Sequence, residues 1–153
     1  MKVKKIIKNT LGFEITGATL LTIEEARKLP EILRKYDERW WLCSSGYNDS
    51  RATAVLDDGL VYSCSIFVDT FYIAVRPALI ISNLESSGLK IGDTFEFGDK
   101  EFEIVSSDKA FCLSDIGTSA FRNDWEAPDA NDYEKSDVKK FIDKWFEKEI
   151  GKC

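Results

Sequence analysis

The sequence predicts an α+β protein of short, mostly antiparallel strands with two main helices, at about residues 22–36 and 132–150. Two segments repeat their apolar residues with helical spacing. Between them lie short apolar runs separated by turn residues, which is the pattern of strands in antiparallel sheets. With 153 residues, 44% of them hydrophobic, the chain is long enough to bury a core.

The first predicted helix begins at a capping box. Thr22 is followed three residues later by Glu25, so each side chain can bond the other residue's backbone N–H. Pro30 lacks an N–H group and is expected to break or kink this helix. Ile32 to Tyr36 then supply a second short turn.

The last helix has the clearest periodicity in the chain. Its large apolar residues share one face: Val138, Phe141, Ile142, Trp145, Phe146 and Ile150. Asn131 or Asp132 is the expected N-cap, and Gly151 stands where a helix would end.

Residues 51–68 predict a hairpin, because Asp57-Asp58-Gly59 separates two apolar runs. Residues 71–82 are almost continuously apolar, as in a central strand buried on both faces, and Pro77 marks a bend or an unpaired edge position. Residues 94–115 alternate as two or three short strands.

We expect a single domain over residues 1–153. Residues 84–92 are the best linker candidate, and the alternative is a split there between a first part, 1–83, and a second part, 92–153. Both parts are small, and a core shared between them would bury more apolar surface than either would alone.

The charge is unevenly distributed. The chain carries a net charge of −6, which divides into +1 over residues 1–83 and −7 over residues 84–153. Direct nucleic-acid binding is therefore not expected, whereas an acidic face for a basic partner is compatible with this charge. No apolar run is long enough for a signal-peptide core or a membrane span, so we expect a cytoplasmic protein without membrane contact.

The chain contains no histidine, which removes the commonest general base and the usual catalytic triads. No Gly-rich phosphate loop or nucleophile elbow is present, so we expect no enzymatic activity, no cofactor and no metal. The four cysteines lack C-x-x-C spacing and are interpreted as buried free thiols. A Cys43–Cys64 disulfide and a four-thiolate zinc site are the alternatives.

Three motifs carry a resemblance: "LLTIEEA" from Leu20, "WWLCSSG" from Trp40, and "VRPAL" from Val75. Together they make residues 20–82 similar to a domain of unknown function that is widespread in bacteria and their phages. That family resembles the C-type-lectin-like group, which also holds the formylglycine-generating (sulfatase-modifying) enzymes. The resemblance implies a C-type-lectin-like fold with the tryptophans as core anchors and with exposed, variable loops.

The resemblance has departures. Cys43 stands where the family usually has arginine, Ser45 where it has proline, and Ala74 where it has glycine. In addition, residues 92–150 resemble the part that the family places before its "LLS-x-E-E-A" motif. This implies a circularly permuted order, with Met1 close to the end of the last helix. The alternative is a second partial copy that folds as its own subdomain.

The first candidate site is a ligand-binding surface after the tryptophan pair: Trp41, Tyr47, Asn48, Asp49 and Arg51. Neighbouring residues of a strand point to opposite sides, so one of Trp40 and Trp41 is expected in the core and the other partly exposed. Residues 44–51 are rich in Ser, Asn, Tyr and Gly, which suits adaptable recognition. An ordinary turn with packing tryptophans is the alternative.

The second candidate site is an acidic face that could mimic phosphates and engage a cationic groove: Asp124, Glu126, Asp129, Asp132 and Glu134. A solvated loop at a helix N-terminus explains the same residues, and an oxygen-lined calcium site within 122–132 is a further alternative.

We therefore interpret the chain as a non-enzymatic recognition module of bacterial or phage origin that binds a protein or a glycan. The alternative is a small acidic phage protein that inhibits a host defence protein such as a nuclease.

Overall fold

The computed structural model describes residues 12–46 and 48–151, apart from the side chains of Ser63 and Cys64. The strands are β1 (Glu14–Thr19), β2 (Trp40–Ser45), β3 (Arg51–Val55), β4 (Val61–Phe67), β5 (Ala78–Ser82), β6 (Thr94–Phe97), β7 (Lys100–Ile104) and β8 (Lys109–Cys112). The α-helices are α1 (Ile23–Lys28), α2 (Glu31–Arg34) and α3 (Asp137–Gly151), and two single 3-10 turns span Leu84–Ser86 and Tyr133–Lys135.

The strands form two antiparallel sheets, which confirms the α+β prediction. The larger sheet has the order β1-β5-β8-β7-β6, and the smaller one has the order β2-β3-β4. β5 precedes residues 84–92 and β8 follows them, yet these two strands are paired neighbours. Two isolated bridges at Ala74, to Trp40 and to Thr118, join β2 to the segments that flank the larger sheet.

The helical part of residues 22–36 is divided in two, as Pro30 predicts. The capping box forms: the Glu25 N–H donates to Thr22 Oγ1 at 3.1 Å, and the Thr22 N–H donates to Glu25 Oε1 at 2.9 Å. Leu29 is extended, because the residue before a proline avoids the helical region, and α2 starts directly after Pro30.

The last helix begins at Asp137, so the predicted start at residue 132 is wrong. Asp132 caps only the 3-10 turn, by accepting a hydrogen bond from the Glu134 N–H at 3.0 Å. Ser136 then resumes an extended backbone, and its Oγ accepts from the Lys139 N–H at 3.0 Å. The N-cap of α3 is therefore Ser136 and not Asn131 or Asp132.

The expectation that one tryptophan of the pair is partly exposed is also wrong, since Trp40 and Trp41 are both 0% exposed. Their rings point to opposite sides of β2, but each side is covered. Trp40 packs against Phe111 with ring centroids 5.2 Å apart, and Trp41 packs against Phe121 at 5.4 Å. Each indole N–H donates to a backbone carbonyl, so neither buried ring leaves a polar atom unpaired.

Helix α3 packs against two of the three hydrophobic clusters. Val138 and Ile142 lie in the cluster of Trp41, whereas Trp145 and Phe146 pack on the larger sheet. There Phe97 is 5.9 Å from Trp145 and 5.8 Å from Phe146, measured between ring centroids. The apolar stripe of α3 thus ties the two sheets together.

Residues 71–82 form a strand only from Ala78 onward, in contrast to the long strand expected. Pro77 precedes this strand and has no N–H for the ladder, although its carbonyl accepts from the Cys112 N–H at 3.0 Å. β5 itself lies inside the larger sheet, between β1 and β8.

Cys43 and Cys112 are free thiols, so the alternative Cys43–Cys64 disulfide is not formed. Burial raises the pKa of the Cys43 thiol to about 11.

The expected proximity of Met1 to the last helix concerns a residue outside the described part of the chain. Within residues 12–46 and 48–151, no helix has the length and apolar character needed to cross a bilayer.

The side chain of Arg76, in the "VRPAL" motif, is buried at 2% exposure among aromatic rings. Its guanidinium carbon lies 4.4 Å from the ring centroids of Tyr36 and Phe111, and 4.9 Å from that of Trp40. The guanidinium N–H groups donate to the carbonyls of Leu33 at 3.0 Å and of Ser114 at 3.3 Å. Burial lowers the pKa of Arg76 to about 10, which leaves it charged at neutral pH.

We predict that Arg76→Lys lowers the free energy of unfolding by about 3 kcal/mol or more, because an ammonium cannot reach both carbonyls and stack on the rings. Urea unfolding followed by fluorescence measures this loss. Arg39→Lys is the control, since the guanidinium carbon of Arg39 lies 5.3 Å from the ring centroid of the exposed Tyr72. This variant should lower the free energy of unfolding by less than about 1 kcal/mol. Equal losses in the two variants would contradict this role of Arg76.

We also predict that Ser136→Ala lowers the free energy of unfolding by about 1–2 kcal/mol, because it removes the N-cap of α3. Asp132→Ala should cost less than about 0.5 kcal/mol, since Asp132 caps only a single 3-10 turn. Thermal unfolding by circular dichroism distinguishes the two, and a larger loss for Asp132→Ala would place the cap where the sequence predicted it.

Candidate functional site

Three loop segments meet beside the smaller sheet and form what we call the loop surface, residues 48–51, 67–72 and 122–132. The Val68 N–H donates to the Ser50 carbonyl at 2.9 Å, and the Arg122 N–H donates to the Val68 carbonyl at 2.9 Å. The loop surface is therefore held by backbone hydrogen bonds between segments that are distant in sequence.

Asn131 fixes residues 48–51, which lead into β3. Its side-chain Nδ2 donates to the carbonyl of Asn48 at 2.9 Å and to that of Arg51 at 3.2 Å. Asn48 Oδ1 in turn accepts from the backbone N–H of Ser50 at 3.1 Å. A Cβ on Gly46 would lie 2.5 Å from Ser65, so only glycine fits at the start of this loop. These contacts hold Gly46 and residues 48–51 in place.

A shallow cleft of about 500 Å³, largely open to solvent, lies between two parts of the loop surface. One side is Asn48–Ser50, and the other is Trp125–Pro128. The Trp125 indole is 50% exposed, in contrast to the buried tryptophan pair. Among the described residues, no donor bonds the carboxylates of Asp49 and Glu126. The cleft thus combines an exposed aromatic ring with two uncompensated carboxylates.

The cleft contains residues from both predicted sites. Asn48 and Asp49 come from the predicted ligand-binding set, and Glu126 comes from the predicted acidic face. Trp41 is fully buried and cannot contact a ligand at this surface. Tyr47 lies outside the described residues.

Arg51 lies beside the cleft and does not line it. Its guanidinium carbon is 4.1 Å from the ring centroid of Phe67, which is half exposed. Its Nε is buried without a hydrogen-bond partner in the described structure. Arg51 therefore supports the edge of the loop surface through its contact with Phe67.

The acidic face is largely engaged in internal contacts. Asp129 pairs with Lys135 at 2.6 Å and with Arg122 at 3.6 Å, and the hydrogen bond from Lys135 holds its pKa below the ordinary value. Asp132 caps the 3-10 turn, and Asp124 Oδ1 accepts from a backbone N–H at 3.2 Å. Glu134 is exposed. These residues do not present a uniform row of free carboxylates.

Sequence analysis missed four exposed aromatic side chains of the loop surface: Phe67, Phe71, Tyr72 and Trp125, each at least 50% exposed. Phe71 and Tyr72 were assigned to a buried strand because residues 71–82 are continuously apolar. Pro77, which cannot donate to a sheet ladder, was the available signal that the strand starts only after it. Trp125 could have been noticed as a large aromatic residue in an otherwise polar loop.

We predict that Asn131→Ala lowers the free energy of unfolding by about 1–2 kcal/mol, because it removes two hydrogen bonds to loop carbonyls. The amides of Gly46 and Val68, which bond Arg51 and Ser50, should then exchange faster with deuterium. Asn123→Ala is the control, since Asn123 is exposed in the same loop. Unchanged amide protection in Asn131→Ala would show that Asn131 does not hold the loop.

No metal centre accompanies this surface in the part of the chain that the structure describes: no three Cys, Asp or Glu side chains there are grouped to hold an ion. The calcium alternative for residues 122–132 therefore gains no support.

The sequence matches no protein-family model, and no curated protein or solved structure shows significant similarity to it. The geometry of the loop surface and its cleft is accordingly the basis for a functional proposal.

Proposed function

We propose that the chain is a non-enzymatic recognition module that binds a protein or a glycan through the loop surface, with the cleft as the central contact. The observation that carries the proposal is the half-exposed Trp125 indole beside Asp49 and Glu126. Exposed tryptophans in recognition surfaces often supply much of the binding free energy, because a large apolar ring is desolvated at once.

The fixed conformation of the loop segments supports binding. Asn131 and Asn48 hold residues 48–51 by side-chain hydrogen bonds, and the Val68 N–H ties them to the end of β4. A surface that is organised in advance loses less conformational entropy when a ligand binds. The loops also rest on a buried scaffold, which is a common arrangement for recognition sites.

The chemistry of the cleft favours ligands with a positive charge or a flat apolar face. The carboxylates of Asp49 and Glu126 would pair with a Lys or Arg side chain of a protein. The indole of Trp125 would contact the same cation through its ring face, or stack on a sugar ring. The two ligand classes thus share the indole and differ in their need for the carboxylates.

We further propose that the scaffold is C-type-lectin-like, with its two parts in permuted order, as the sequence resemblance implies. The buried tryptophan pair, the β3–β4 hairpin and the exposed loops beside it support this proposal. The alternative, inhibition of a defence nuclease by an acidic C-terminal half, has less support because Asp129 and Asp132 are engaged internally.

The two thiols that the structure describes, Cys43 and Cys112, support a non-enzymatic role. Burial raises the pKa of Cys43 to about 11 and also raises the pKa of Cys112. A nucleophilic cysteine needs its thiolate stabilised near neutral pH, and these two environments do the opposite.

The proposal predicts that Trp125→Ala weakens ligand binding at least about tenfold, because it removes the central aromatic contact. A glycan array and affinity capture from host lysate identify ligands of the wild-type protein, and titration calorimetry with an identified ligand measures the loss. Ile32→Ala is the control, since Ile32 is 81% exposed on α2 and does not line the cleft. Unchanged affinity in Trp125→Ala would overturn the proposal.

Asp49→Asn and Glu126→Gln separate the two ligand classes. For a basic protein ligand we expect each variant to weaken binding, and we expect the loss to diminish at high salt. For a neutral glycan that stacks on the indole, Trp125→Ala should matter and the carboxylate variants much less.

A further inference from the structure

We infer that a second site, the groove between helices α1–α2 and the end of the β7–β8 hairpin, binds an apolar small molecule that carries an ammonium group. The groove has a volume of about 410 Å³, within the range of small-molecule sites. It shares no lining residue with the cleft of the loop surface, so this inference does not depend on the proposed function.

The groove exists because α1 covers only part of one face of the larger sheet. Along β7, Phe102 and Ile104 point into the cluster that packs under α3. Glu103 and Val105 alternate with them and line the groove on the other face. On that face α1 packs over Phe111 of β8, and the surface over β7 stays open.

The walls of the groove are mainly apolar. Leu21, Leu29 and Leu33 line it from the helical side, and Ile91 and Val105 line it from the sheet side. Ile91 is 63% exposed at the edge, although it is a large aliphatic residue. An apolar ligand would remove this surface from water, which is favourable in proportion to the area covered.

The charged residues that line the groove are Glu25, Lys28, Glu103, Asp108 and Lys109. Lys109 Nζ lies 2.7 Å from Glu25 Oε2, so these two charges compensate each other. Asp108 accepts a hydrogen bond from Ser106 Oγ at 2.8 Å and is exposed, as is Lys28 at the rim. What remains inside the groove is the carboxylate of Glu103.

Glu103 has no hydrogen-bond or ion-pair partner among the described residues. Burial raises the pKa of its carboxyl group, and the nearby charge of Glu101 raises it further. A ligand ammonium would supply the missing donor and the opposite charge. The apolar walls select the body of the ligand, and Glu103 selects the sign of its head group.

The test uses n-octylamine as the probe, with sodium octanoate and 1-octanol as probes of the same chain length, in titration calorimetry with the full-length protein. We expect saturable one-site binding of octylamine, weaker binding of octanol and no binding of octanoate. Glu103→Gln should weaken octylamine binding about tenfold, as loss of a charge-assisted hydrogen bond implies. Glu101→Gln is the matched control, because Glu101 lies on the same strand outside the lining, and it should change the affinity less than about twofold.

Val105→Trp is a second variant that fills the groove, and it should abolish octylamine binding while thermal unfolding confirms that the protein is folded. Retained binding in Val105→Trp would place the amine elsewhere and overturn the inference. No octylamine binding, equal binding of octanoate, or equal affinity in Glu103→Gln and the wild type would overturn it as well.

Discussion

The buried charge of Arg76 constrains how several elements of this fold are arranged. A guanidinium in the protein interior is tolerated only where acceptors and polarisable rings replace water. Here the carbonyl of Leu33 comes from α2, that of Ser114 follows β8, and the ring of Trp40 belongs to β2. These elements must therefore assemble together, because leaving any of them out would strand the charge.

The burial of the tryptophan pair also positions the loop surface. Trp41 is buried beside Trp40, and its indole N–H donates to the Ser119 carbonyl at 2.7 Å. The Ser119 N–H donates to the Ile73 carbonyl, which ties the chain before residues 122–132 to the segment after Tyr72. Trp41 was expected to touch a ligand, but its contribution is indirect: it fixes the segments from which two of the three loops extend.

The local parts of the fold were predictable, and the parts that depend on distant contacts were not. The capping box at Thr22 and the turn at Asp57-Asp58-Gly59 each need only neighbouring residues, so spacing and residue type revealed them. The burial of Trp41 depends on Phe121, eighty residues away in the chain. The cleft is another such case, because Asn131 joins two loops that no sequence pattern relates.

The net negative charge of residues 84–153 does not by itself describe a binding surface, because some of the carboxylates are engaged in contacts within the chain. Asp129 is engaged in an ion pair and Asp132 in a cap, so these two carboxylates stabilise the chain itself. Two carboxylates that have no hydrogen-bond or ion-pair partner among the described residues lie beside apolar surface: Glu126 next to the indole of Trp125, and Glu103 next to Val105. A carboxylate of this kind discriminates more sharply than a broad acidic field, because a ligand must match both the charge and the apolar contact. In both proposals the ligand is selected by pairing a positive charge with an apolar group, whatever the net charge of the molecule.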